Sequence, residues 1–170
     1  SNGCYDMREL FNNTLVQRHD KYAVTFVDNH DTQPGQSLTS FIEDWFKPQA
    51  YACILLREQG YPCIFYGDYY GIPHDHINPK KDILDYMLKL RKQYVEGIRH
   101  DYIDDPDIIG WTYETGLAVI LTNSTGGKKH MYVGERFKSM TDGKHTIEII
   151  DGYGEFICDA AALNLYVELS

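Results

Sequence analysis

Near His100 the chain changes period, and no other feature limits its fold as much. Upstream, Met7, Leu10, Phe11 and Leu15 recur at helical spacing within 5–16, which predicts a short amphipathic helix. The run 23–27 (AVTFV) lacks polar alternation and predicts a strand buried on both faces. Pro48 suits the first turn of a second helix, with Tyr51, Ile54, Leu55 and Glu58 on one face and Gly60 with Pro62 as its end. A second strand is expected over 63–66. Asn78 and Pro79 then open a third helix, with Ile83, Leu84, Met87, Leu88, Arg91 and Tyr94 on one side and Gly97 at its end. Strand, helix, strand, helix is the order of a parallel α/β architecture such as a βα barrel. Downstream, β-branched and aromatic runs at 108–113, 117–122, 130–133, 146–150, 155–158 and 165–169 are separated by Gly, Asn and Asp clusters. That is the punctuation of a small antiparallel sandwich. The expected fold class is therefore α/β plus all-β, with one domain over 1–99 and a second over 100–170.

Length and charge narrow the function. A complete eight-stranded βα barrel takes about 250 residues, so a chain of 170 residues can hold only part of one. The formal net charge is -9. Basic residues cluster no further than pairs such as Lys80-Lys81 and Lys128-Lys129, which argues against a nucleic-acid partner. No apolar stretch approaches the roughly 20 residues of a spanning helix, so no membrane partner is expected. The opening residues lack a secretory pattern, though a piece of a longer chain would have lost one. Cys4, Cys53, Cys63 and Cys158 form no C-x-x-C pair, and Cys53 and Cys63 lie in apolar runs that read as buried free thiols. Free thiols favour a reducing, cytoplasmic setting, with secretion left open.

The chemistry is expected where 23–27 ends. Asp28, His30 and Asp31 follow it directly, and in a parallel βα barrel functional groups sit at the carboxyl ends of strands. Asp28 and Asn29 are expected to orient their neighbours. Asp31, read alone, is an ordinary turn residue ahead of Pro34, and His30 a structural hydrogen-bonder. A Ser-His-Asp hydrolase is discounted, because no G-x-S-x-G elbow occurs. Trp45 reads as a core plug, with stacking on a sugar as the alternative. The His74-x-His76 pair reads as a polar loop without enough ligands for a metal.

The octet Phe26-Val-Asp-Asn-His-Asp-Thr-Gln33 resembles the fourth signature segment of the α-amylase family, glycoside hydrolase family 13. The likeness continues through Pro34-Gly-Gln-Ser-Leu38 and Trp45-Phe-Lys-Pro48, which look like the liquefying bacterial branch. Gly60-Tyr-Pro-Cys-Ile-Phe-Tyr-Gly-Asp68 is similar to the end of the family's eighth barrel strand, with Tyr66 and Asp68 as supports of the rim. The resemblance implies that 1–99 holds the last βα units of a TIM-type (β/α)8 barrel. It also implies a parent that hydrolyses internal α-1,4-glucosidic bonds of starch or glycogen with retention. Asp31 would be its transition-state-stabilising carboxylate, since positive charge develops on the sugar as the bond breaks. His30 and Gln33 would contact the α-glucan substrate.

The resemblance further implies a structural calcium held by Gly3, Tyr5, Pro106, Asp107 and Asn123, a set of carbonyls and carboxylates suited to a hard cation. Asn123 stands where the family usually has a carboxylate, which should weaken the ion. A retaining glycosidase also needs a nucleophile and a general acid. The family carries them in segments like Arg-Leu-Asp-Ala and Glu-Tyr-Trp, neither of which occurs here. The chain is thus expected to be a carboxyl-terminal fragment, inactive alone and prone to self-association through open strand edges. Two rivals remain. One is a non-catalytic carbohydrate-binding module built on the tail, disfavoured because no exposed aromatic row is obvious there. The other is a related transglycosylase.

Overall fold

The computed structural model describes residues 5–169. The chain forms two compact units: residues 13–91, and the stretch up to Asn12 together with that from Lys92 onward.

Within 13–91, the strand β1 (Val24–Phe26) pairs in parallel with β2 (Tyr61–Cys63), and α2 (Lys47–Leu55) lies between them in sequence, which makes a βαβ unit. It is preceded by α1 (Leu15–Arg18), which Thr14 caps by accepting from the Gln17 N–H at 3.2 Å. The single helix expected over 5–16 does not form. A 3-10 turn at Met7–Glu9 is followed by a break at Asn13, whose φ of 58° is left-handed. Asn and Asp tolerate that region and compete with helix through their own hydrogen bonds, and the Asn12-Asn13-Thr14 run supplies them. Nor is β1 buried on both faces. Val24 and Phe26 are 58% and 53% exposed, because β2 is its one paired neighbour among the described residues. For the same reason Cys63 is exposed, where a buried thiol was expected, whereas burial pushes the Cys53 thiol up to about 12.

The second strand sits two to three residues early, and Tyr66 instead opens α3 (Tyr66–Tyr70). Helix α2 takes Pro48 in its first turn but stops before Gly60. There the Arg91 guanidinium, reaching across from α4 (Lys81–Tyr94), accepts the role of cap by donating to the carbonyls of Leu55 and Arg57, both at 2.7 Å. In α4 the buried side is Leu84, Met87 and Leu90, while Leu88 is 40% exposed, a rotation of the expected face by about one position. No helix among the described residues is long and apolar enough to cross a membrane.

The second unit is a two-layer antiparallel structure. Its main sheet has the order β3-β4-β5-β10-β7-β8, built from β3 (Arg99–Tyr102), β4 (Ile108–Tyr113), β5 (Leu117–Thr122), β7 (Ser139–Thr141), β8 (Thr146–Glu148) and β10 (Leu163–Glu168). A two-stranded sheet of β6 (Gly127–Tyr132) and β9 (Tyr153–Cys158) packs over it. Ile108, Ala118, Ile120 and Tyr166 from the large sheet meet Met131, Phe156 and Cys158 from the small one in a shared core. The other side of β4 is covered by the beginning of the chain: Phe11 sets its ring edge-on to Trp111 at 6.4 Å, and the Met7 N–H donates to the Pro106 carbonyl at 2.8 Å. Covered on both sides, β4 and β5 are buried at every position, which explains why they read as unbroken apolar runs. Strands β3 and β7 were not expected from sequence. The first is an edge of polar residues, RHDY, and the second is three residues long.

The turn between β7 and β8 is held by Asp142. Its carboxylate accepts from the backbone N–H of His145 at 2.6 Å and of Lys144 at 2.9 Å, and from the Asn164 amide at 2.7 Å on β10. Burial works to raise this carboxyl, but the hydrogen bonds outweigh it and hold it well below the usual range. A folded value below the unfolded one, about 3.9, means that the stabilisation is complete above that pH and is lost as pH falls through the folded value. Asp142→Ala is expected to cost about 2–3 kcal/mol at pH 7. The gap to the wild type should narrow in acid denaturation series below about pH 4, and a gap independent of pH would refute the charge-based account.

Candidate active site

The polar segment after β1 is shaped from within. Asn29 Oδ1 accepts from the backbone N–H of Asp31 at 2.9 Å and of Thr32 at 3.0 Å, and the Asn29 N–H donates to Thr32 Oγ1 at 3.1 Å. This closes the chain into a tight turn over 29–32 and leaves the side chains of His30 and Asp31 outside it. They are 83% and 59% exposed, with His30 Nε2 3.4 Å from Asp31 Oδ1. Gln33 continues the turn, its N–H donating to the Asn29 carbonyl at 3.2 Å. His30, Asp31 and Gln33 therefore fall on one short rim. An exposed carboxylate beside an imidazole can accept hydrogen bonds from hydroxyl groups and can stabilise a developing positive charge.

Beneath the rim lies a buried ionic cluster. Asp28, at the foot of the turn, accepts from Thr32 Oγ1 at 3.2 Å and from the Ile42 N–H at 3.3 Å. Lys47, at the start of α2, bridges Asp28 Oδ2 at 3.1 Å and Asp68 Oδ1 on α3, and all three side chains are at most 2% exposed. The Tyr51 hydroxyl donates to the second oxygen of Asp68 at 2.7 Å and accepts from the Phe65 N–H at 3.3 Å. Burial is the largest influence on Lys47 and pulls its pKa down, but contact with Asp68 and Asp28 outweighs it and the value is raised. Tyr51 is held strongly above its usual value by burial and by Asp68. One cation thus ties the rim turn, α2 and α3 together, and Asp68 has the supporting place expected of it.

Lys47 was missed by sequence reading. The available signal was its position between Phe46 and Pro48 at a helix start, since a lysine walled in by apolar residues must find carboxylates. Trp45, expected as a core plug, is 49% exposed and packs edge-on to Phe46 at 5.3 Å. Its neighbours along 41–44 are largely at the surface, so no core reaches it.

The residues expected to hold calcium lie in the other unit, and Gly3 is outside the described residues. Tyr5, Asp107 and Asn123 do come together. The Asn123 amide donates to the Tyr5 carbonyl at 2.7 Å, and its backbone N–H donates to the Asp107 carbonyl at 3.2 Å. Pro106 adjoins through its bond from Met7. Asn123 Oδ1 is buried without a hydrogen-bond partner. Among the described residues no group of three or more His, Cys, Asp or Glu side chains could hold a metal ion.

No family model matches the chain. Over 98% of its length it is 47% identical to an α-amylase of Geobacillus stearothermophilus and 48% identical to an α-amylase of Bacillus licheniformis, of which it covers 33% and 36%. The chain thus spans about a third of the length of the curated relatives it matches. Two solved structures share its fold. An α-amylase from Malbranchea cinnamomea matches 85% of the chain with a TM-score of 0.62 at 14% identity and 37% coverage of that protein. A cyclomaltodextrin glucanotransferase of three-domain arrangement matches 86% with a TM-score of 0.61 at 16% identity and 36% coverage. Identity near one half, sustained over all but a few residues, makes this chain a member of the α-amylase family.

Proposed function

We propose that the chain is the carboxyl-terminal part of an endo-acting α-amylase that hydrolyses internal α-1,4-glucosidic bonds of starch or glycogen with retention. The observation that carries this reading is the exposed Asp31–His30 pair on a turn anchored through Asp28 to a buried cation. Asp31 stabilises positive charge on the sugar in the transition state, while His30 and Gln33 bind hydroxyls of the glucan beside the cleaved bond. Residues 1–99 would supply the last βα units of a (β/α)8 barrel and 100–170 the terminal β domain. The parallel β1–α2–β2 unit supports the first of these. Its exposed strand faces also support self-association of the isolated chain. The nucleophile and general acid would lie elsewhere in the parent. The chain alone should release no reducing ends from starch, whereas the complete enzyme should, with the retained α-anomer as first product. Turnover by the chain alone, or a complete enzyme without activity on α-glucans, would overturn the reading.

Calcium fits one part of this chain. The unpartnered Asn123 Oδ1 and the nearby carbonyls of Tyr5, Pro106 and Asp107 are hard oxygens, and with the Asp107 carboxylate and Gly3 they would hold the ion. Bound there, calcium would supply structural charge and no chemistry. Since a ligand of the folded state alone stabilises it, millimolar calcium should raise the melting temperature over chelator, and magnesium should do so less. Asp107→Ala should abolish the increment and Asn123→Asp enlarge it. Identical melting curves with calcium and with chelator would remove the site.

A further inference from the structure

His30 and Asp31 are held in place through their backbone. The one ionic contact of either side chain among the described residues is with the other, at 3.4 Å. Their position therefore depends on the two residues that bracket them. Asn29 and Thr32 bond reciprocally: Thr32 Oγ1 accepts from the Asn29 N–H at 3.1 Å, and Asn29 Oδ1 accepts from the Thr32 N–H at 3.0 Å. The rim pair sits inside a loop closed at both ends, so what fixes that loop also fixes the Asp31 carboxylate.

The fixing group is the proton of the same hydroxyl. Thr32 Oγ1 lies 3.2 Å from Asp28 Oδ1 and 3.3 Å from the Asn29 carbonyl. It has one proton to give. The carbonyl already accepts from the Gln33 N–H at 3.2 Å, whereas the carboxylate is the charged and so the stronger acceptor. Asp28 is itself firmly held, 3% exposed, with its other oxygen 3.1 Å from Lys47 Nζ and 3.3 Å from the Ile42 N–H. Another tie, from the Ser40 N–H to the Thr32 carbonyl at 3.0 Å, runs to a stretch, 35–41, that is exposed and contains neither helix nor strand. A surface loop of that kind is a poor anchor. β-Branching restricts χ1 of Thr32, which keeps the hydroxyl aimed at Asp28.

We propose that Thr32 is a positioning residue for Asp31: its hydroxyl carries the rigidity of the buried Asp28–Lys47–Asp68 cluster to the rim and holds the carboxylate where positive charge develops on the sugar. Thr32 touches no substrate itself. Its role rests on the functional reading above, in which Asp31 stabilises the transition state. A displacement of about 1 Å at a reacting group can cost on the order of a hundredfold in rate. In the complete enzyme Thr32→Val, which keeps the shape and loses the hydroxyl, should lower kcat about ten- to thirtyfold and leave KM within about twofold. Thr32→Ser restores the hydroxyl and should bring kcat back to within about threefold of the parent. A double-mutant cycle separates this role from a merely structural one. Because Thr32 acts through Asp31, adding Thr32→Val to Asp31→Asn should change turnover by less than about twofold. Thermal melts verify that each variant is folded. Should Thr32→Val fail to fold, the cycle is run with Thr32→Ala, and collapse of both would overturn the proposal by making the hydroxyl a folding group. Unchanged kcat in folded Thr32→Val, no recovery in Thr32→Ser, or effects that multiply in the cycle would overturn it too. If Asp31→Asn alone is impaired in that case, only the positioning role is refuted; normal turnover of Asp31→Asn refutes the functional reading and this role with it.

Discussion

Asp31→Asn in the complete enzyme is expected to lower turnover on starch by roughly a hundred- to a thousandfold while leaving KM little changed. The replacement is isosteric, and what it removes is the charge that matters once the sugar becomes cationic. The turn should survive, because Asn29 grips it through the backbone N–H groups of Asp31 and Thr32 and not through the Asp31 carboxylate. That side chain is 59% exposed and has His30 alone within 4.0 Å as an ionic neighbour among the described residues, so melting should be unaffected. A folded variant with turnover within about tenfold of the parent would take Asp31 out of the reaction.

Lys47→Met is expected to destabilise the 13–91 unit by about 3–5 kcal/mol at pH 7, readable from urea denaturation of this chain. Methionine fills the stem's volume but leaves Asp28 and Asp68 buried face to face without their cation. The loss should shrink in acid, as one of the two stranded carboxylates takes up a proton. In the wild type the sign is the opposite. A lysine whose folded value is raised contributes fully below its unfolded value, about 10.4, and its contribution fades only as pH rises through the folded one. A loss under about 1 kcal/mol at pH 7, or one that grows in acid, would mean the cluster is not held by its charges.

The legible parts of the fold were those governed by local pattern. The runs that became β4 and β5 were read to the residue, since burial on both sides leaves no polar position to confuse the period. What escaped was set by distant partners. Helix α2 ends where Arg91, 36 positions from Leu55, caps it, and nothing near Leu55 announces that. Likewise β3 is an edge strand only because β4 lies beside it. At the proposed site, the exposed His30 and Asp31 and the half-buried Gln33 were singled out through a recognisable segment, whereas Lys47 works by burial, which a lone lysine in a sequence does not declare.

The Asn123 side chain reaches the Tyr5 carbonyl across 118 positions, and Phe11 lies on Trp111. Everything from 13 to 91 is therefore an insertion whose two ends leave the same unit. During synthesis the first strap of that unit emerges long before the sheet it must cover. Met7 and Phe11 then wait in water while Trp111 and its strand are still being made. Closing so long a loop brings an entropic barrier that local elements do not face, and topology of this kind slows folding. The sheet would be the last part of the segment to seal, and its readiness would depend on how promptly the inserted residues compact and bring the two ends together.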